Sequence, residues 1–231
     1  MGKFNTNSNG YIIAYASVLV LIVAFLLAFV YQALKPLSDA NVEIDKKNQI
    51  LKSLNIRDLD NNDAIVAKYD EVVEADQVID ANAAIVKDGQ NKDDDGFKID
   101  KLSSENLPLY VCKVNGETKY VLQMKGKGLW GPVWGYVSIN ADKKNVYGAY
   151  FNHEGETAGL GAIISEYENF QKQFAGKTLK KGDEYLSVVK HGTVKNADLQ
   201  CDGISGATKT CDGVSAMIEE CLSMYGAFLN K

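Results

Sequence analysis

The sequence is poor in proline and histidine, and its cysteines are not paired by spacing. Three prolines in 231 residues leave no Pro-rich linker. Cys112, Cys201, Cys211 and Cys221 contain no Cys-x-x-Cys pair, which argues against a structural metal site. His153 and His191 are the two histidines, and neither has a nucleophile and carboxylate spaced for a hydrolase triad. There is no internal repeat and no low-complexity tract. The net charge of −5 provides no basic footprint, so nucleic acid is not an expected partner. The length accommodates one domain of ordinary size plus additional segments.

Charge is absent from residues 11–30, where Ile12, Ile13, Val18, Leu19, Phe25 and Leu26 belong to one apolar run. Such a run spans a hydrocarbon core of about 30 Å as a single helix. Cleaved signal peptides have shorter apolar regions of about 7–15 residues. Ala28-Phe29-Val30 is a poor cleavage sequence, and no cysteine follows for lipid attachment. The expectation is an uncleaved transmembrane helix at 11–30 behind a short tail at 1–10. Lys3 lies on one side and Lys35, Lys46 and Lys47 on the other, so basic residues do not decide the orientation.

Residues 31–106 read as a helical stalk followed by a loop-rich region. Val42, Ile50, Leu51 and Leu54 give residues 41–56 one packing face. A polar break follows, and Asp63 is the expected cap of a second helix that packs Ile65, Tyr69, Val72 and Val73. A short strand is expected at 83–86. Asp93-Asp94-Asp95 lies in a polar stretch without calcium-loop spacing, which reads as a solvated loop.

Strand patterns dominate from about residue 107. Segments 109–114 and 119–124 flank Asn115-Gly116, a strong hairpin signal. Segments 133–140 and 146–152 form a second hairpin candidate, and 186–189 another strand. Ser165-Glu166-Tyr167-Glu168 has capping-box form and predicts a helix carrying Phe170 and Phe174 that stops at Gly176. Val214, Met217, Ile218, Cys221, Leu222 and Tyr225 give the terminal segment one apolar helical face. The fold class is α+β: a transmembrane helix, a stalk and a mixed strand/helix domain at 107–231.

Three stretches carry the chemistry. Gly126-Lys127-Gly128-Leu129-Trp130-Gly131 and Glu154-Gly155-Glu156-Thr157-Ala158-Gly159-Leu160-Gly161 are Gly-rich, and such loops let backbone amides approach a flat ring or a phosphate. Trp130 and Leu160 are suited to cover a planar ring. The third stretch is Asp202-Gly203-Ile204-Ser205-Gly206-Ala207-Thr208-Lys209-Thr210. Alone it reads equally well as a turn entering a helix, with Thr210 as N-cap. It also offers a hydroxyl on Thr208, small residues at Gly206 and Ala207, a phosphate donor in Ser205, and a helix start that favours an anion.

The third stretch resembles the covalent flavin-attachment motif Asp-x-x-Ser/Thr-Gly-Ala-Thr. The order of all three resembles the FMN-binding domain family, shared by the sodium-translocating NADH:quinone oxidoreductase and the related Rnf ferredoxin:NAD complex. With the anchor and the helix around Asp45-Lys46-Lys47, the chain is most similar to the C-subunit family of the first complex. The resemblance implies FMN esterified to Thr208. It implies a cofactor site of Asp202, Ser205, Gly206, Ala207, Lys209 and Thr210 with Trp130, Glu156, Thr157, Gly159, Leu160 and Gly161. It further implies a flavin transferase, a bacterial inner-membrane complex of six subunits, and a domain on the periplasmic side that relays electrons toward quinone. Ala158 stands where the family usually has Pro, which leaves that loop less restricted.

Several residues remain open between two readings. Cys201 and Cys211 bracket the motif, either as a disulfide in an oxidising compartment or as free thiols. Glu156 faces the ring edge or solvent, and His153 serves proton transfer or a turn. Two other classes also remain: a flavin-free anchored interaction module, and a flavin reductase outside any ion pump.

Overall fold

The computed structural model describes residues 8–231; Lys3 and most of the expected tail lie outside the described residues. The chain forms two compact units that divide between Asp45 and Lys46. Helix α1 (Asn9–Ser53) is long and apolar enough to cross a membrane, and its apolar stretch is exposed along its length. No new helix starts near residue 41. Pro36 lies inside α1, where it removes one N–H donor without ending the helix. The exit of α1 is well specified. Asn55 adopts φ 60°, the Asn55 amide donates to Lys52 O, and the Ile56 amide donates to Leu51 O. This is a Schellman closure with Asn in the left-handed position.

Helix α2 (Asn62–Val72) is capped by Asn61, whose side chain accepts from the Ala64 amide at 2.9 Å. Asp63, the expected cap, instead sits in the first turn, where its charge suits the helix N-terminus. Val73 is not helical. It begins strand β1 (Val73–Ile79), which leaves α2 without a turn. The next strand, β2 (Ile85–Lys87), starts two residues later than expected, because Ala83 turns the chain at φ 58°.

Four longer strands follow: β3 (Leu107–Val114), β4 (Glu117–Lys127), β5 (Pro132–Asn140) and β6 (Val146–His153). They join β1 and β2 in one antiparallel sheet of order β2-β1-β3-β4-β5-β6. Asn115 and Gly116 both have positive φ in the β3–β4 turn, as a two-residue hairpin requires.

The segment after β6 departs from expectation. Short 3-10 turns at Gly161–Ser165 and Gln171–Phe174 replace the helix expected from residue 165. Ser165 Oγ donates back to Ala162 O at 2.8 Å rather than capping forward. Buried Gln171 donates from Nε2 to Phe151 O (2.8 Å) and Ile164 O (3.1 Å). Phe151, Phe170 and Phe174 pack mutually, with ring centroids 4.9–6.2 Å apart. That aromatic cluster and the Gln171 bonds outweigh a local cap signal.

A small ribbon of β7 (Lys180–Lys181) and β8 (Glu184–Tyr185) precedes β9 (Ser187–Val189), which pairs in parallel with β10 (Gln200–Asp202). Helix α3 (Thr208–Met224) then packs its buried face, Val214, Met217, Ile218, Cys221 and Leu222, into the core. The short helix α4 (Gly226–Leu229) ends the chain. Gly126 on β4 allows α3 to approach, since a Cβ there would lie 2.6 Å from Met217 Cβ. Tyr225, fully buried, donates its hydroxyl to Pro108 O at 2.6 Å. The class is α+β, with the start of α3 brought to the end of β4.

The aspartate triplet is not simply solvated. Lys47 Nζ lies 2.7 Å from Asp93 Oδ2, and Lys87 Nζ lies 3.4 Å from Asp95 Oδ1. Asp94 accepts from Asn91. The triplet therefore fastens its loop to two lysines.

Candidate flavin site

Three loops meet at the start of α3. In the first, between β4 and β5, the Gly128 amide donates to Gly131 O at 2.8 Å. This tight turn directs Leu129 and Trp130 outward, and they are 50% and 69% exposed. The second follows β6. His153 Nδ1 accepts from the Glu156 amide at 3.1 Å, so this histidine serves the turn reading. Thr157 O accepts from the Leu160 and Ala162 amides, both at 3.1 Å, with Gly159 at φ +73°. These bonds close the loop with Ala158 in place of proline. Leu160 is 40% exposed.

The third loop leaves β10 at Asp202. Asp202 Oδ1 accepts from the Gly192 amide at 2.7 Å, and Oδ2 lies 2.9 Å from His191 Nδ1. Its backbone exchanges two hydrogen bonds with the Gln173 side chain. Asp202 thus fixes the base of the turn. Ser205 and Gly206 are exposed at the turn tip, and the Ala207 amide donates to Ile204 O at 3.0 Å. Gly206 has φ +79°, and a Cβ there would lie 2.9 Å from Leu160 Cδ2. Glycine at this position serves both the left-handed backbone and the close approach of Leu160.

Helix α3 begins at Thr208, and its N-cap is Ala207 rather than Thr210. Ala207 provides no side-chain cap and the first turn carries no acidic residue, so the first amides of a 17-residue helix are open to an anion. Thr208 and Lys209 are exposed, with Lys209 Nζ 3.6 Å from Asp212 Oδ2. Thr210 is buried and donates from Oγ1 to Glu156 Oε2 at 2.6 Å. Glu156 Oε1 accepts from the Trp130 amide at 2.9 Å. Glu156 is only 7% exposed, so it is not the solvated loop carboxylate of one sequence reading. Gly161 abuts both groups: a Cβ there would lie 2.5 Å from Glu156 Oε2 and 2.6 Å from Thr210 Oγ1.

The arrangement fits a phosphorylated planar group. It combines an accessible hydroxyl at an uncapped helix start with two exposed apolar side chains, Trp130 and Leu160, on loops joined to that start. The four cysteines are free and buried. Cys211 Sγ accepts from the Ile204 amide at 3.3 Å, which supports the motif from beneath without a disulfide. Burial pushes the Cys201 thiol up to about 12 and the Cys221 thiol up to about 11, and raises Cys211 as well.

Comparison with known proteins decides the family. The family model described as FMN-binding domain matches residues 128–223, a span that contains all three loops. The C subunit of the Na(+)-translocating NADH-quinone reductase of Haemophilus ducreyi is 30% identical over 91% of this chain and 88% of that relative. The chain belongs to this C-subunit family. Its members are by name subunits of an oxidoreductase. The crystal structure of the Parabacteroides distasonis counterpart is 35% identical, with a TM-score of 0.76, covering 86% of this chain and 98% of that one. A Shewanella oneidensis NqrC structure at 22% identity has a TM-score of 0.66 over 81% of this chain and 96% of its own, and so speaks for the fold. The Vibrio anguillarum counterpart is 27% identical over 74% of this chain and 73% of its own length.

Proposed function

We propose that this chain is a flavin-carrying electron-transfer subunit with FMN joined to Thr208 as a phosphoester. In this reading it works in a sodium-pumping NADH–quinone reductase of six subunits. The observation that carries the proposal is the uncapped start of α3 at exposed Thr208, two residues after Gly206, which abuts Leu160, and two before Thr210, which Glu156 links to the Trp130 amide.

Thr208 supplies the hydroxyl for the ester. The Thr208, Lys209 and Thr210 amides, with Ser205 Oγ, would hold the phosphate, whose charge a helix start favours. Gly206 and Ala207 keep the approach open, and Asp202 anchors the turn. Trp130 and Leu160 bound the ring, with Thr157, Gly159 and Gly161 shaping the second loop. The bound FMN supplies the redox chemistry, while the protein holds and orients it. A separate transferase would attach FMN from FAD: the Thr208 oxygen–phosphorus bond forms as the FAD pyrophosphate bond breaks, AMP leaves, and the threonine proton is released. Helix α1 anchors the chain in a bacterial inner membrane, and the unit from Lys46 onward lies on the periplasmic side.

Intact mass followed by peptide mapping of protein from its own host tests the reading. The expected result is the added mass of one FMN less water on the peptide containing Thr208, abolished in Thr208→Ala. An unmodified Thr208 in a host with a working transferase would leave a flavin-free anchored module. Thr208 is exposed, so the variant should otherwise fold normally, within about 0.5 kcal/mol of wild type.

A further inference from the structure

The three loops are joined through one carboxylate. Glu156 Oε1 accepts from the Trp130 amide in the first loop, and Oε2 accepts from Thr210 Oγ1 in the first turn of α3. Glu156 itself belongs to the second loop. Its own amide donates to His153 Nδ1, so the residue is held at its backbone and at both carboxylate oxygens.

The glycines beside it are explained by the same group. A Cβ on Gly128 would collide with Glu156 Oε1, and one on Gly161 would collide with Oε2 and with Thr210 Oγ1. The Gly-rich character of the first two loops at these positions therefore makes room for the carboxylate, not only for a ligand. The negative charge also has an electrostatic place. Helix α3 lacks both a side-chain cap and an acidic residue in its first turn. Glu156 brings a negative charge to that end from another loop, where a helix favours it.

We infer that Glu156 and Thr210 form a clamp that positions the Trp130 loop against the helix start bearing Thr208. They act as positioning residues rather than as groups touching the isoalloxazine ring. This rests on the reading of Thr208 as the attachment point, but the clamp itself is a property of the protein alone. A charge-assisted hydrogen bond at each end makes the linkage strong, and its members behave as one unit.

The test has two readouts on the full-length chain in detergent. The first is hydrogen exchange of the Trp130 amide in the flavin-free protein. The second is covalent flavin yield after co-expression with the transferase, read by in-gel fluorescence and mass. Thr210→Val removes one hydroxyl far along the chain from Trp130, at nearly constant volume. The expected result is Trp130 exchange faster by about tenfold, on the scale of one lost hydrogen bond, with a matching fall in flavin yield. Thr210→Ser should restore both. Glu156→Ala should speed exchange at least as much, and the Glu156→Ala/Thr210→Val double variant should be no worse than Glu156→Ala alone.

Trp130 exchange at the wild-type rate in Thr210→Val would overturn the clamp. So would a double variant whose effect is the product of the two singles. If Glu156→Ala does not fold, the Thr210→Val and Thr210→Ser pair still decides. If wild-type protein carries no flavin on Thr208, the attachment reading fails, while the exchange readout decides the clamp independently.

Discussion

At Gly161 a single added methyl group would lie 2.5 Å from Glu156 Oε2 and 2.6 Å from Thr210 Oγ1. Neither atom is the free end of a loose side chain, because the two are hydrogen-bonded to each other at 2.6 Å. Gly161→Ala is expected to destabilise the protein by about 1–3 kcal/mol, as overpacking of a close-packed site does. Gly155→Ala, in the same loop with nothing within 4 Å of its Cβ, is the control and should stay within about 0.5 kcal/mol. Chemical denaturation of both variants checks this; equal midpoints would mean that the Glu156–Thr210 pair yields easily. At this scale the sequence was partly legible. The Ser-Gly-Ala-Thr stretch reads as a turn entering a helix, and the structure has one, with Gly206 at φ +79° and α3 beginning at Thr208. The role of Thr210 was not legible, since its partner is 54 positions away and no local pattern encodes a bond between separate loops. The same holds for His153, whose acceptor nitrogen serves a turn although the residue type alone also permits proton transfer.

Elements were legible where local chemistry and tertiary packing agree. Asn115-Gly116 demanded a tight hairpin, and the apolar face of the terminal segment demanded a helix; both formed. Residues 165–176 show the opposite case. The capping box was present, yet Phe170 and Phe174 are fixed against Phe151 and Gln171 is tied to β6, so the backbone follows the core. Strand β1 was hidden for another reason. It follows α2 with no Gly, Pro or polar break, and Val73 suits either a helical face or a strand. The cap of α2 is testable in these terms. Asn61, not Asp63, accepts from the Ala64 amide. Asn61→Ala should therefore cost about 1 kcal/mol. Asp63→Ala should cost less, about 0.3–1 kcal/mol, because only a charge near the helix dipole is lost. Urea midpoints rank the two, and a larger loss at Asp63 would contradict the observed cap.

For the whole molecule, the division at Asp45/Lys46 separates two kinds of stability. Before it, α1 exposes Ile12, Leu19, Phe25, Leu27 and their neighbours to the surroundings; such a surface is stable in hydrocarbon and aggregates in water. Beyond it, Ile50 and Leu51 in the last turns of α1, and Leu54 just after its end, are completely buried. Buried Lys47 meets Asp93 at 2.7 Å, and Ser138 Oγ on β5 donates to Ser53 O at 2.5 Å. The end of α1 therefore belongs to the core of the second unit, although the sequence presents it as a stalk. This sets where a truncation is tolerated. Removing residues 1–40 takes away the apolar run and keeps the buried turns, so the remainder should be monodisperse without detergent. Its unfolding free energy should match that of the full chain to within about 0.5 kcal/mol. Removing residues 1–54 deletes three fully buried leucine and isoleucine side chains and should cost several kcal/mol, about 2–5 for each large core side chain lost. Light scattering and thermal unfolding of the two truncations provide the check. If the shorter cut aggregates as the longer one does, the apolar segment is part of the folding unit rather than an anchor attached to it.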